Sequence, residues 1–327
     1  MSKEQAQNLI IGHRGQDGTL LREQLNASGD LWTGVDRGIL ETSHGVCSPF
    51  TESVDITQPE QVRELVDWCR PEKIYYLAAC HLGSGQHPDD IGGFFNESLS
   101  VNVHGPLNFL QAIRKCSPES RFIYASSSLI YGPKSNPEER ISESTGQNPQ
   151  ETYAFEKALV GRYCQQYRVQ TRIFASVAVL FNHESQYRPK GFFTRDVTDA
   201  LALIARGKMS SWEVGSLDFI VDWLYAGDVV DAMKRIISLD CPDDFIVASG
   251  KGHTTGEFIQ IACEMLGLDQ KVCIRCNTEK LFRKDNCRVG DPGKLCKAAG
   301  WSPTMTFPEI VQHLTQAAID RLDKEQI

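Results

Sequence analysis

The sequence predicts an α/β protein in which a doubly wound parallel sheet is followed by a smaller C-terminal α/β lobe. Short apolar runs read as buried strands: NLIIG (8–12), LWTGVD (31–36), KIYYLAA (73–79), RFIYASSS (121–128) and RIFASVAVLF (172–181). Between them lie amphipathic stretches such as 58–70 and 102–116 with apolar residues at helical spacing. That alternation is the β-α-β rhythm of a parallel sheet with helices on both faces. After residue 181 the rhythm becomes irregular, with helices expected near 193–207, 228–238 and 307–323. The chain therefore divides into a first unit at 1–181 and a second lobe at 182–327, whose late strands can return to the first sheet.

A chain of 327 residues with 41% hydrophobic and 23% charged residues can bury a sizeable core. Its net charge of -8 argues against nucleic-acid binding, which needs a clustered basic surface. Eleven scattered cysteines, odd in number, suit reduced thiols in a cytoplasm, and the Cys273-x-x-Cys276 pair has no partner pair at zinc-ribbon spacing. No metal is expected. The N-terminus lacks the apolar core of a signal peptide, and no stretch reaches membrane-spanning length, so a cytoplasmic protein is expected.

The first strand runs into Gly12-His13-Arg14-Gly15-Gln16-Asp17-Gly18 and then a helical segment. Glycines at such a turn let backbone approach a pyrophosphate, and the helix N-terminus offers free N–H groups and partial positive charge. The turn makes the sheet Rossmann-type, and Gly12, Gly15, Gln16, Asp17 and Gly18 are candidate cofactor contacts. Asp36 ends the second strand 24 residues beyond Gly12, where a carboxylate accepts from ribose hydroxyls and repels a 2′-phosphate. NAD is accordingly favoured over NADP. Asp55 and Ile56 are expected beside the adenine, and the small Ala78 and Ala79 where the cofactor passes the end of a strand.

Tyr153 and Lys157 are four residues apart in ETYAFEKALVGRYCQQY, so a helix projects both from one face. An ammonium beside a phenol stabilises tyrosinate and makes Tyr153 a usable base that the dinucleotide site can serve. Ser127, closing the strand RFIYAS, is placed to hydrogen-bond the same substrate hydroxyl, with Ser128 next to it. His81 follows the strand that ends at Ala79 and is left outside the catalytic set.

With glycine turn, serine strand and Tyr/Lys pair in that order, the chain resembles the extended short-chain dehydrogenase/reductases over nearly its whole length. Narrower likeness lies in GQDG (15–18), LFNHES (180–185), FFTRDV (192–197), GSLDFIVDW (215–223), FIVASGKGHTTGEF (245–258) and GDPGKLCKAAGWSP (290–303). In order and spacing these resemble the GDP-mannose 4,6-dehydratase group. The resemblance implies that Asn182 contacts a nucleotide sugar, that Arg283 is a candidate for its phosphates, and that the substrate is GDP-linked. It also implies a homodimer through a four-helix bundle formed by 102–116 and 153–168, with tetramers open.

The departures narrow the expectation further. The group carries Thr-Ser-Glu-Leu-Tyr-Gly where this chain has Ser127-Ser128-Leu129-Ile130-Tyr131-Gly132, so its dehydratase glutamate corresponds to Leu129. Leucine cannot remove the C5 proton. Val221 stands at an arginine of the group, and Asp36 at one of a pair of cofactor-ribose arginines. The leading expectation is an NAD-dependent oxidation at C4 of a GDP-linked sugar, ending as a 4-dehydrogenase or a 4-epimerase. The runner-up is a 4,6-dehydratase with a replacement base such as Glu184; from another class, a non-catalytic nucleotide-sugar-binding protein that retains NAD.

Overall fold

The structure is a computed structural model, and it describes residues 7–43, 53–81, 90–134, 136, 138–277 and 287–324. Its main sheet contains β1 (Asn8–Ile11), β2 (Trp32–Asp36), β3 (Ile39–Thr42), β4 (Lys73–Tyr76), β5 (Arg121–Ser127), β6 (Ala175–Leu180) and β7 (Asp244–Val247). They lie in the order β7-β6-β5-β4-β1-β2-β3, parallel throughout except for the antiparallel β2–β3 hairpin. The chain winds outward from β1 to β3, then returns to lay β4 on the other side of β1. That reversal opens a crevice at the carboxyl ends of β1 and β4, the usual ligand position in such sheets.

Both faces of the sheet are covered, as the unbroken apolar strands require. In β1, Leu9 and Ile11 join one core with Val62 and Leu65 of α2 (Pro59–Cys69) and Phe109 and Ile113 of α4 (Gly105–Cys116). Ile10 points the other way, into a core with Leu21 and Leu25 of α1 (Gln16–Ser28) and Val229 and Met233 of α7 (Ala226–Ile236). Burying one such side chain contributes about 1.5–3 kcal/mol, so each strand residue supports one of two opposed layers. Between β4 and α4 the chain also forms α3 (Ile91–Leu99), continued by a π-helical turn at Ser100–His104.

A third core lies in the C-terminal half. Val197 and Leu201 of α6 (Phe193–Ala205), Phe258 and Ile259 of α8 (Thr255–Leu266), and Ile310 and Leu314 of the last helix (Phe307–Lys324) close around Trp223. β7 nevertheless pairs with β6, so the later chain builds part of the first sheet as well as the lobe. Two local differences from the expected elements appear in the first half. The hairpin strand β3 was not evident in the sequence, because ILET is short and half charged or polar. A single bridge between Gly38 and Val54 also ties the hairpin turn to the residue before Asp55, outside the predicted apolar runs.

Candidate active site

Two glycines of the turn, Gly12 and Gly18, sit in contacts that leave no room for a side chain. Gly12 has φ +91°, and a Cβ there would lie 2.8 Å from the Ala78 nitrogen on the neighbouring strand end. A Cβ on Gly18 would overlap the Gly12 carbonyl oxygen, so only glycine lets α1 approach the turn this closely. Gly15 caps α1 without a side-chain hydrogen bond, leaving the first-turn N–H groups directed outward. This cradle fits the pyrophosphate of a dinucleotide. Asp36, at the end of β2, accepts a hydrogen bond from the Arg14 backbone N–H at 3.1 Å.

From this turn a cavity of about 610 Å³ extends across the ends of β1, β4, β5 and β6 into the C-terminal lobe. It brings together Gly12, Gly15, Gln16, Asp17, Gly18, Ala79, Ser127, Ser128, Tyr153, Lys157 and Asn182. Ala78 packs on Gly12 and does not line it. Asp36, Asp55 and Ile56 also lie outside the lining; Asp55 instead accepts from the backbone and hydroxyl of Thr57, both at 2.8 Å. Arg283 falls outside the described residues. At the lobe end the lining includes Trp212, Phe219, Ile220, Val221 and Arg288.

β5 and α5 (Thr152–Thr171) deliver Ser127, Tyr153 and Lys157 to the cavity. Ser127 ends β5, and its hydroxyl accepts the Leu129 N–H at 3.3 Å, which turns the next residues into a short 3₁₀ segment with Leu129 in the cavity lining. Lys157 is buried, donates to the Ala125 carbonyl at 2.8 Å, and sits over the rings of Tyr124 and Tyr153, 4.7 and 5.4 Å from their centroids. Burial depresses its pKa to about 7 and raises that of the Tyr153 phenol, with Asp17 and Glu151 raising it further and Arg188 pulling it down. Desolvation thus opposes the charged form of both groups. His81 packs edge-on against the Tyr153 ring with centroids 4.3 Å apart.

Beside the turn lies a charged network that the motifs did not disclose. His183 Nδ1 is 2.7 Å from the Phe181 carbonyl and Nε2 is 3.0 Å from an Asp17 carboxylate oxygen. Both partners are acceptors, so both ring nitrogens donate and the ring is an imidazolium. Burial works against both charges, yet the Asp17 carboxylate raises the His183 pKa, and His183 in turn holds Asp17 below its ordinary range. Gln16 adds a second tie, donating to the His183 carbonyl at 3.2 Å and accepting from Ser185 at 3.0 Å. Together they bolt the start of α1 to the strand Asn182–Glu184. Asp17 and Gln16, expected as cofactor contacts, here spend their side chains on this junction.

The remaining carboxylates of the lining are also engaged. Glu184 is buried, faces Arg188 with two oxygens at 2.7 and 3.1 Å, and accepts from Thr194 at 2.6 Å. Asp196 accepts the Gly191 N–H at 2.9 Å, and Glu213 the Asn277 amide at 3.3 Å. Behind Tyr153, the π-helical turn aims Asn102 inward, where its amide pairs with both backbone groups of Cys80 and donates to Glu156. A π turn inside a helix commonly marks such a functional side chain. Asn102 thereby fixes the segment that carries Ala79 and His81.

The lobe wall rests on Asp222. It is buried and accepts from the Ser249 N–H (2.8 Å), the Ser249 hydroxyl (2.6 Å), and the Gly250 and Gly290 N–H groups (3.1 Å each). Burial pushes its carboxyl up to about 6 against the pull of these donors. Its neighbours Val221 and Trp223 both line the cavity.

A glycine-turn sheet, a Ser/Tyr/Lys set at the strand ends and a substrate lobe closing the same cavity define an extended short-chain dehydrogenase/reductase. The chain belongs to the GDP-mannose 4,6 dehydratase family, whose model matches residues 9–314. It is 30% identical to GDP-mannose 4,6 dehydratase 2 of Arabidopsis thaliana over 98% of this chain and 88% of that protein. Its fold is similar to RMD of Pseudomonas aeruginosa, solved with NADPH (TM-score 0.78, 22% identity, 96% and 99% of the chains covered). Similar again is UDP-glucose 4-epimerase of Thermus thermophilus, solved with NAD (TM-score 0.78, 22% identity, 95% and 98% covered). The protein is thus an enzyme of the nucleotide-sugar dehydratase and epimerase class. No helix among the described residues is long and apolar enough to cross a membrane.

Proposed function

We propose that this enzyme uses NAD to oxidise C4 of a GDP-linked sugar and completes its turnover as a 4-dehydrogenase or a 4-epimerase. The observation that carries this reading is the company kept by Leu129. It lines the cavity with Ser127, Tyr153 and Lys157, and by resemblance it takes the place of the group's dehydratase glutamate, while Asp17, Glu184, Asp196 and Glu213 are each held by a partner. Glu184 is a poor replacement base, because freeing it means stripping a buried carboxylate from Arg188 and Thr194.

In this reading the Tyr153 phenolate takes the C4 hydroxyl proton, Ser127 orients that hydroxyl, and Lys157 and Arg188 set the charge around the phenol. Bound NAD supplies the hydride acceptor. Asn182 and Arg288 hold the sugar nucleotide across the lobe, and Asp36 takes the adenosine ribose. Incubation of the enzyme with NAD and GDP-mannose deuterated at C5 tests the choice: the label is expected to stay. Loss of deuterium with formation of a 6-deoxy product would sink the proposal in favour of dehydration.

The same reading includes a homodimer. Ile91, Phe95 and Leu99 form an exposed apolar stripe on α3, and Phe155 and Leu159 extend it on α5; the helices are joined by Ser98 donating to Glu156 at 2.7 Å. Helix α4, expected to share the bundle, instead buries its apolar face against α2 and the sheet. Phe155→Asp is expected to halve the mass seen by sedimentation equilibrium, and a wild type that sediments as a monomer would rule the dimer out.

A further inference from the structure

We propose that Glu41 is a second cofactor selector, set to exclude dinucleotides that carry a 2′-phosphate. The inference rests on the proposed NAD site. The Asp36 carboxylate accepts the Arg14 backbone N–H at 3.1 Å, and Arg37 follows Asp36 at the hairpin turn. A guanidinium beside the ribose-binding carboxylate is the group that recognises a phosphate there. Asp36 alone therefore leaves the adenosine end electrically ambiguous.

Glu41 removes the ambiguity. It pairs with the Arg14 guanidinium, faces His13 Nε2 at 3.0 Å, and lies 3.5 Å from Arg22. Arg22 in turn sits over the Trp32 ring, 5.3 Å from its centroid. The hairpin fixes this arrangement: Glu41 pairs with Gly34 in register, and the His13 ring fills the space where a Gly34 side chain would project. The hydrogen bond from Arg14 holds the Glu41 carboxyl below its ordinary range, so it is ionised at neutral pH. In the proposed reading Glu41 adds a second carboxylate near Asp36, and the Arg14 guanidinium is committed to Glu41. A glutamine at this position keeps the shape and the contact to His13 while removing the charge that holds Arg14.

The test measures NAD and NADP dissociation constants by calorimetry on full-length, nucleotide-stripped protein. Glu41→Gln is expected to shift the NADP-to-NAD affinity ratio about tenfold toward NADP, equivalent to one freed charge-assisted contact. The double variant Glu41→Gln/Arg14→Ala should lose that shift. A ratio unchanged in Glu41→Gln, or a shift that survives without Arg14, overturns the proposal, as does a wild type that already prefers NADP. Asp36→Ala tests the underlying reading separately: it should weaken NAD more than NADP, and equal losses would displace Asp36 from the ribose. Melting temperatures of the variants near that of the wild type confine these changes to binding.

Discussion

Tyr153→Phe should lower kcat for C4 oxidation about a thousand-fold, a loss of roughly 4 kcal/mol of transition-state stabilisation. The substitution removes one oxygen and leaves the ring where it packs, 4.3 Å from His81 and against the Lys157 ammonium position. Packing, dinucleotide affinity and sugar-nucleotide affinity should therefore stay within about threefold of the wild type, since the phenol is needed only where the proton moves. The size of the effect follows from burial. Desolvation raises the phenol pKa, and the Arg188 guanidinium pulls it back down. Single-turnover reduction of NAD, followed at its absorbance band, separates the chemical step from release. A Tyr153→Phe enzyme with wild-type rates would return the chain to the alternative of a binding protein that merely retains its dinucleotide.

What could be read from the sequence was what local spacing encodes. The glycine turn, the strand ending at Ser127 and the Tyr153/Lys157 pair each lie within one or two elements, so period and motif suffice to find them. The Asp17–His183 pair joins residues 166 apart in the chain and the Asn102–Cys80 pair spans 22, and neither has a pattern that announces it. His183 could have been suspected from its place in LFNHES, but not its charge, which depends on the two acceptors that face its ring. Glu41 was hidden for another reason: β3 is four residues long and carries no alternating apolar signal, so nothing marked it as a strand opposite β2. The hydrophobic pattern thus located the sheet, and motif spacing located Ser127, Tyr153 and Lys157, which line the cavity. The charges that tune them come from tertiary contacts.

Asp222 illustrates how far such a contact can reach, since Asp222→Ala is expected to cost about 4 kcal/mol of stability. Alanine leaves the backbone N–H groups of Ser249, Gly250 and Gly290 without an acceptor, and an orphaned buried donor costs about 1–3 kcal/mol each. At roughly 2 °C per kcal/mol for a chain of this size, the melting temperature should fall by about 8 °C. Asp222→Asn retains one acceptor oxygen and places an amide against the remaining donors, so it should lie between wild type and alanine. The damage should also be local. The strand Ile220–Val221 pairs with Cys287–Gly290 and with His253–Thr254, and Val221, Trp223 and Arg288 from this region line the cavity. On the proposed assignment of the dinucleotide to the β1–α1 turn, at the other end of the cavity, its affinity should survive in the asparagine variant while sugar-nucleotide affinity falls about tenfold or more. Calorimetry on Asp222→Asn with each ligand checks the division. Equal losses for both would mean that Asp222 holds up the whole molecule and not one wall of the site.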